Sequence, residues 1–160
     1  MAIPFLEFNH VCILVKDVDQ AAKNWMEFLG VTEEDCYPMD MDVPEEDTWL
    51  RGYNVPAGNG AWIQLVQPMT PKGGMWDHLQ KRGEGPQHIC FTCPESLMDG
   101  FVKKVKDRGA WKWIFPEPRG PQFERYTMTH PKYSSGIIIE ILSKGWDRDW
   151  QGFKAAKKRW

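Results

Sequence analysis

The amino-acid sequence predicts an α+β fold in which two β-α-β-β-β modules form a cupped, eight-stranded mixed sheet around a metal site. The strand "FNHVCIL" at residues 8–14 is written a second time as "GPQHICF" at residues 85–91. A helical pattern follows each copy, and three more strand candidates follow each helix. A repeat of about 75 to 80 residues has the length of a duplicated module, since solenoid units are shorter.

In the first module, one helix and three strands are expected after residues 8–14. The helix begins after Asp17, a residue type that caps helix N-termini, and ends at Gly30, which allows a left-handed turn. Its apolar residues recur at helical spacing: Val18, Ala22, Trp25 and Leu29. Strands are expected at residues 31–37, 48–55 and 61–67, and the turn "PAGNG" joins the last two as a hairpin.

The second module repeats this order of elements. Its helix is expected to begin at Ser96 and to end at Gly109, and its strands are expected at residues 111–115, 123–130 and 136–142. The connecting stretch "MTPKGGMWDHLQKRGEGP" predicts a short helix near residues 76–81. We divide the chain, as one domain overall, into a first module at 1–67, a linker at 68–85, a second module at 86–144 and a basic C-terminal tail at 145–160.

Composition excludes several function classes. A formal net charge of −2 argues against a nucleic-acid partner. No run approaches the roughly 18 apolar residues of a membrane span, and the N-terminus does not have the pattern of a secretory signal. We therefore expect a cytoplasmic protein with reduced cysteines, in which the pair Cys90 and Cys93 has a structural role.

Four polar residues occupy equivalent places in the two modules. His10 and His88 interrupt the first strands, and Gln64 and Glu140 interrupt the last ones. A single buried histidine is more often a hydrogen-bonded core residue, and a buried carboxylate is costly unless it is paired or binds a metal. Because the duplication repeats both positions with ligand-type residues, it predicts one divalent metal ion per chain. Zinc, cobalt, manganese, nickel and iron are all compatible with nitrogen and oxygen ligands.

Strand alternation predicts the wall of the substrate pocket. Residues two positions away from a proposed ligand point in the same direction, and these include Cys12, Trp62, Cys90 and Ile138. Trp49, Arg51 and Tyr53 share one face of a neighbouring strand, which points either to solvent or into the pocket. In the pocket, Arg51 would hold a substrate carboxylate through a forked pair of hydrogen bonds.

Four stretches of the chain resemble the vicinal oxygen chelate superfamily, and within it the methylmalonyl-CoA epimerases. They are "NHVCILVKDVDQAAKNW", "IQLVQP", "HLQKRGEGPQHICF" and "HPKYSSGIIIEIL". The resemblance implies a small-molecule substrate, a homodimer, and metal ligands at His10, Gln64, His88 and Glu140. It also implies an epimerase that abstracts a proton next to a metal-chelated carbonyl or carboxylate, with Glu140 as one base and Glu46, in preference to Glu45, as the other.

Two departures from the epimerase pattern leave other functions open. Gln87 stands where such epimerases have the first of two adjacent histidines, and residues 33–47 hold eight acids and no base, a poor neighbour for a polyphosphate. The alternatives are a lyase or isomerase of the same superfamily acting on another acid, aromatic acids included, and an Fe(II) ring-cleaving dioxygenase. Gln64 as a fourth ligand argues against the dioxygenase. A non-catalytic ligand-binding protein is disfavoured because such proteins commonly lack the four ligands.

Overall fold

A computed structural model describes residues 5–44, 46–120 and 125–144. The α-helices are α1 (Val18–Leu29), α2 (Gly74–Arg82) and α3 (Glu95–Asp107). The strands are β1 (Glu7–Leu14), β2 (Tyr37–Val43), β3 (Thr48–Gly58), β4 (Ala61–Pro68), β5 (Gly85–Pro94), β6 (Tyr126–Met128) and β7 (Ile138–Lys144). In the described part of the chain, these seven strands form one mixed sheet in the order β2-β3-β4-β1-β5-β7-β6. The predicted α+β class is confirmed, with one strand fewer than expected.

The described residues divide into two compact units, and the first comprises residues 9–89. Within it β1 runs parallel to β4, β4 pairs antiparallel with β3, and β3 pairs antiparallel with β2. One face of these strands packs on α1 through Val18, Ala22, Met26, Val55 and Leu65. The other face carries Cys12, Leu14, Leu50 and Val66, which pack with Leu79 of α2. Successive side chains of a strand point to opposite faces. In these strands both faces carry apolar residues.

The predicted boundaries of α1 are confirmed by its caps. Asp17 has an extended backbone, and its Oδ1 accepts a hydrogen bond from the backbone N–H of Gln20 at 3.0 Å. Gly30 ends the helix in the left-handed conformation, at φ 69°, and its N–H bonds back to the last turn. Both groups satisfy backbone positions that the helix itself leaves open.

The second unit comprises residues 5–8, 90–120 and 125–144. Its core contains Cys93, Met98, Phe101, Val102 and Ile141, so that α3 packs on β7. The start of the described chain belongs to this unit: the ring of Phe5 lies edge to face with that of Phe101, and Nζ of Lys144 is 2.8 Å from Glu7.

Three expectations for individual elements were wrong. Residues 111–115 form no strand, and only an isolated bridge joins Trp113 to Thr129. Prolines follow directly at positions 116 and 118, and they remove the N–H donors that a ladder needs. Helix α3 begins at Glu95, directly after Pro94, so Ser96 is not its cap.

The third wrong expectation concerns residues 31–37. A 3-10 turn over Glu33–Asp35 replaces most of that strand, because Oδ2 of Asp35 accepts hydrogen bonds from the N–H and hydroxyl of Thr32, each at 2.9 Å. The linker helix is present as α2. The tail at 145–160 lies outside the described residues. None of the described helices has the length and apolar character needed to span a membrane.

Candidate metal centre

The two histidines of the repeated strands face each other. His10 on β1 and His88 on β5 approach with their Nε2 atoms 3.0 Å apart. Their rings meet edge to face with centroids 5.2 Å apart, and both side chains are buried. Two residues 78 positions apart in the sequence therefore meet within the unit of residues 9–89.

An amide side chain holds the other nitrogen of each histidine. Nδ1 of His10 lies 2.8 Å from Oδ1 of Asn9, and Nδ1 of His88 is hydrogen-bonded to Oε1 of Gln87. An amide oxygen only accepts hydrogen bonds, so each Nδ1 carries the proton and donates it. In the neutral imidazole the lone pair then lies on Nε2. Both rings therefore present this lone pair to the same point.

This arrangement fits a divalent metal ion. Two Nε2 lone pairs at 3.0 Å repel each other unless a proton or a cation lies beside both. With 3.0 Å between them, both nitrogens would be within reach of one ion at the usual metal–nitrogen distance of about 2.0–2.1 Å. Histidines that bind metals also donate their second ring N–H to an oxygen acceptor. Here Asn9 and Gln87 supply those acceptor oxygens. The donor set and its supports suit a first-row metal.

Gln64 lies on β4, next to the strand that carries His10. It is in register with Cys12, and Trp62, two residues earlier, is in register with His10. Paired residues on neighbouring strands point to the same face, so these four side chains share one face of the sheet. Nε2 of Gln64 donates to Sδ of Met39 at 3.5 Å, and a thioether is a weak acceptor.

Arg51 belongs to the opposite face of β3. Its guanidinium pairs with the carboxylate of Asp19 on α1, with 3.1 Å between the nearest nitrogen and oxygen. Burial, and then the negative charge of Asp19, raise the pKa of the neighbouring Tyr53. A cavity of about 330 Å³ lies on this side, lined by Asp19, Ala22, Lys23, Met26, Glu33 and Tyr53. Arg51 therefore connects β3 to α1 and does not point to the face that carries Gln64.

Glu46 is exposed in the turn between β2 and β3. Its Oε2 accepts a hydrogen bond from the N–H of Gly74, the first residue of α2, at 3.0 Å. A carboxylate at this place satisfies an open N–H and interacts favourably with the helix dipole. Glu46 thus has a structural contact with the first residue of α2. The alternative base, Glu45, lies outside the described residues.

The remaining predicted site residues belong to the second unit. Glu140 is 9% exposed on β7, in register with Met128 of β6. Ile138, two residues earlier, shares its face and is half-buried, and Cys90 on β5 is fully buried. Burial raises the pKa of the Cys93 thiol to about 11, so this cysteine stays protonated at neutral pH. That agrees with a structural role for Cys93.

Sequence reasoning missed the two amides that hold the histidines. Asn9 and Gln87 both directly precede a histidine, so the dipeptides "NH" and "QH" repeat at the same offset as the histidines themselves. In the sequence alone, Gln87 stands out as a departure from the epimerase pattern. The repeated amide was the signal that would have found both supports.

Known sequences identify the family of the chain. Residues 9–122 match the sequence pattern of the Glyoxalase/Bleomycin resistance protein/Dioxygenase superfamily, and this span includes His10, Gln64 and His88. The chain belongs to this superfamily. Its members typically bind a divalent metal, which agrees with the chemistry of the histidine pair.

Methylmalonyl-CoA epimerases resemble this superfamily member in sequence and in fold. The mitochondrial enzyme of Homo sapiens is 26% identical over 137 residues, which are 83% of this chain and 71% of the human protein. The structure of the Mycobacterium tuberculosis enzyme has a TM-score of 0.71 at 22% identity, covering 90% of this chain and 92% of that one. The structure of a variant of the Streptomyces coelicolor methylmalonyl-CoA epimerase in complex with 2-nitronate-propionyl-CoA has a TM-score of 0.68 at 21% identity. It covers 86% of this chain and 94% of that one. These structures share the fold of the present chain.

Proposed function

We propose that the protein is a metal-dependent epimerase or isomerase that removes a proton from the carbon next to a carbonyl or carboxylate. The observation that carries the proposal is the histidine pair, with buried Nε2 atoms 3.0 Å apart and Nδ1 atoms held by amides. Family membership and the similarity to methylmalonyl-CoA epimerases add support.

The proposed metal ligands are His10, Gln64, His88 and Glu140. The contacts and register of the first three support their inclusion. Glu140 is included because it occupies the position in the second module that Gln64 occupies in the first, and because of the resemblance. When bound, a divalent ion would act as a Lewis acid that stabilises negative charge on substrate oxygens.

The residues of the chain would move the proton and exclude water. In the proposal Glu140 takes the proton from the substrate carbon and Glu46 returns one to the opposite side of the planar intermediate. Each such transfer contributes about 10² to 10⁴-fold to the rate. Trp62 shares the face of His10 and would narrow the site, and the exclusion of water strengthens electrostatic stabilisation of the developing charge.

The proposed substrate is an acyl thioester with a carboxylate on the reacting carbon, of which methylmalonyl-CoA is the example that the relatives name. Thioester and carboxylate oxygens together would chelate the ion. The acid-rich segment at residues 33–47 would repel a nucleotide polyphosphate. Acids without coenzyme A that also offer a carbonyl or carboxylate oxygen beside a carboxylate should therefore be tested as substrates as well. A homodimer in the cytoplasm completes the proposal.

Metal content and deuterium exchange together test this function. The protein as purified should contain one divalent ion per chain. In heavy water it should place deuterium on the substrate carbon that lies between the thioester carbonyl and the carboxylate. His88→Ala should lose both the ion and the exchange, because it removes one of the two facing nitrogens. His78→Ala is the matched control, since His78 lies on α2 and outside the histidine pair; it should retain both.

Three results would contradict the proposal in different ways. Full metal occupancy in His88→Ala would remove that residue from the ligand set. Metal binding without exchange in any candidate acid or thioester would exclude the enolisation chemistry. Consumption of oxygen during turnover would favour a ring-cleaving dioxygenase in its place.

Glu46→Gln tests the second base separately from the structural contact of Glu46. Glutamine keeps an oxygen that accepts from the N–H of Gly74, so the thermal stability should fall only slightly, by the lost interaction of the carboxylate charge with the helix dipole. Glutamine cannot take up the proton, so exchange should slow by about 10²-fold or more while the metal content stays constant. Full activity in this variant would limit Glu46 to its contact with α2.

A further inference from the structure

Asn54 is a buried amide without a hydrogen-bond partner. It lies on β3 with 1% of its surface exposed, and neither its Oδ1 nor its Nδ2 finds a partner within the described residues. The large majority of buried polar side-chain atoms in proteins are hydrogen-bonded, so an amide with both atoms unpaired calls for an explanation. In native proteins such a group is explained by stored strain, by a role in function, or by a water or ion that completes its hydrogen bonds.

Asn54 lies directly across from Gln64. The ladder between β3 and β4 pairs the two residues, and directly opposed residues have Cβ atoms about 4.5–5.5 Å apart. Tyr53 and Val55, the neighbours of Asn54 in the sequence, pack on the face of α1. Asn54 therefore points to the other face, which it shares with Gln64, and the two amides are within reach of one hydrogen bond.

Gln64 would need such a partner when it binds a metal. A glutamine binds a hard or borderline cation through its amide oxygen, which leaves the two N–H donors to be satisfied elsewhere. At present one of these donors meets only the thioether sulfur of Met39 at 3.5 Å. The amide oxygen of Asn54 is a stronger acceptor than a thioether, and it is unpaired.

We infer that Asn54 is a positioning residue for Gln64, whose Nε2 donates to Oδ1 of Asn54 when its Oε1 binds the ion. The inference rests on the proposed metal site. Asn54 then does for Gln64 what Asn9 and Gln87 do for the two histidines, and each ligand of the first unit has its own amide support. Residues that hydrogen-bond to metal ligands typically change metal affinity by about 10–100-fold.

Calorimetric titration of the metal-free protein with Co²⁺ alone tests the inference. Asn54→Leu keeps the approximate shape of the side chain and removes both polar atoms. The variant should bind Co²⁺ about 10–100-fold more weakly than the wild type. Its metal-free form should nevertheless melt about 2–4 °C higher, because an unpaired buried amide is replaced by an apolar group. A residue that only packs would not combine weaker binding with higher stability.

A double-mutant cycle shows whether Asn54 acts through Gln64. Gln64→Ala combined with Asn54→Leu should bind Co²⁺ no more weakly than Gln64→Ala alone, because the positioned group is already absent. Asn24→Leu is the matched control: Asn24 is exposed on α1, bonded to Gln20, and its replacement should leave the affinity unchanged.

The outcomes separate this inference from the proposed function. Wild-type affinity in Asn54→Leu, or losses that add in the double variant, would overturn the positioning role and leave the metal site intact. A wild-type protein that binds no Co²⁺ would overturn the metal site and the inference with it.

Discussion

The first module pairs three successive strands in antiparallel ladders, whereas the described residues of the second show a short antiparallel ladder between β6 and β7. In the first, seven residue pairs join β2 to β3, and β3 continues directly into its pairing with β4. In the second, three residue pairs join β6 to β7, and residues 111–120 contribute two isolated bridges. The two copies of one sequence pattern therefore use different means to hold the same part of the module.

In the second module, side-chain contacts help to hold the proline-rich segment at residues 111–120, where a strand was expected. The hydroxyl of Thr127 donates to the backbone oxygen of Phe115 at 2.7 Å, and the guanidinium of Arg119 lies 3.8 Å above the ring of Phe115. Arg125, just before β6, pairs with Glu95 and Asp99 on α3. The difference teaches that isolated backbone bridges together with side-chain contacts can take the place of a strand within a duplicated module.

Gly52→Ala should be the most damaging change to the first module's ladders. A Cβ at this position would lie 2.6 Å from the backbone oxygen of Leu65 and 3.0 Å from Cε of Met39. A backbone atom of a paired strand cannot move alone, so the variant should lose about 3 kcal/mol of unfolding free energy. Urea denaturation at constant slope measures the loss.

Gly100→Ala in α3 is the matched control from the second module. No atom outside the helix's own backbone lies within 4 Å of the added Cβ, and alanine is the better helix former, so a gain of about 0.5–1 kcal/mol is expected. Equal effects of the two substitutions would show that the ladders of the first module are not closely packed at Gly52.

Arg125→Ala should have a smaller effect, and the effect should depend on pH. The guanidinium and Glu95 are mostly buried, so the loss at neutral pH should be about 2 kcal/mol. The hydrogen bond from Arg125 holds the pKa of the Asp99 carboxyl below its ordinary value of 3.8. A lowered folded-state pKa stabilises the protein above the unfolded value, and the contribution disappears as the pH falls through the folded value.

The difference between wild type and Arg125→Ala should therefore narrow below a pH of about 4. Urea titrations at neutral and acidic pH measure it. A difference that stays constant over this range would mean that Asp99 does not contribute through its charge. Lys103→Ala, which breaks an exposed pair with Asp107 on the same helix, should change stability by less than about 0.5 kcal/mol at any pH.

Local chemistry was sufficient to predict most of the first module. The cap at Asp17, the glycine at position 30 and the hairpin turn all act through neighbouring residues, and all three are present. The strand expected at residues 111–115 failed for the opposite reason: its own residues favour a strand, but the prolines just beyond it remove the donors that pairing needs. Strand propensity depends on what the flanking chain allows.

The histidine pair was found because the sequence repeats it, which no single-residue argument could do. The direction in which each strand face points was harder to predict from the sequence. Alternation sorted residues 49, 51 and 53 onto one face but could not tell which face α1 covers, and the ion pair between Arg51 and Asp19 settles that point. Asn54 escaped notice because an isolated polar residue in a strand usually faces solvent. Its importance follows only from its burial and from its register with Gln64.

The ion pair between Lys144 and Glu7 has a consequence for synthesis of the chain on the ribosome. It joins residues 137 positions apart, so the unit that contains both can close only after the last described strand has emerged. Residues 9–89 form a contiguous unit. They can fold much earlier, because the contacts within this unit need no residue that is synthesised after position 89. During translation the two histidines can therefore meet before Lys144, the partner of Glu7, has been synthesised.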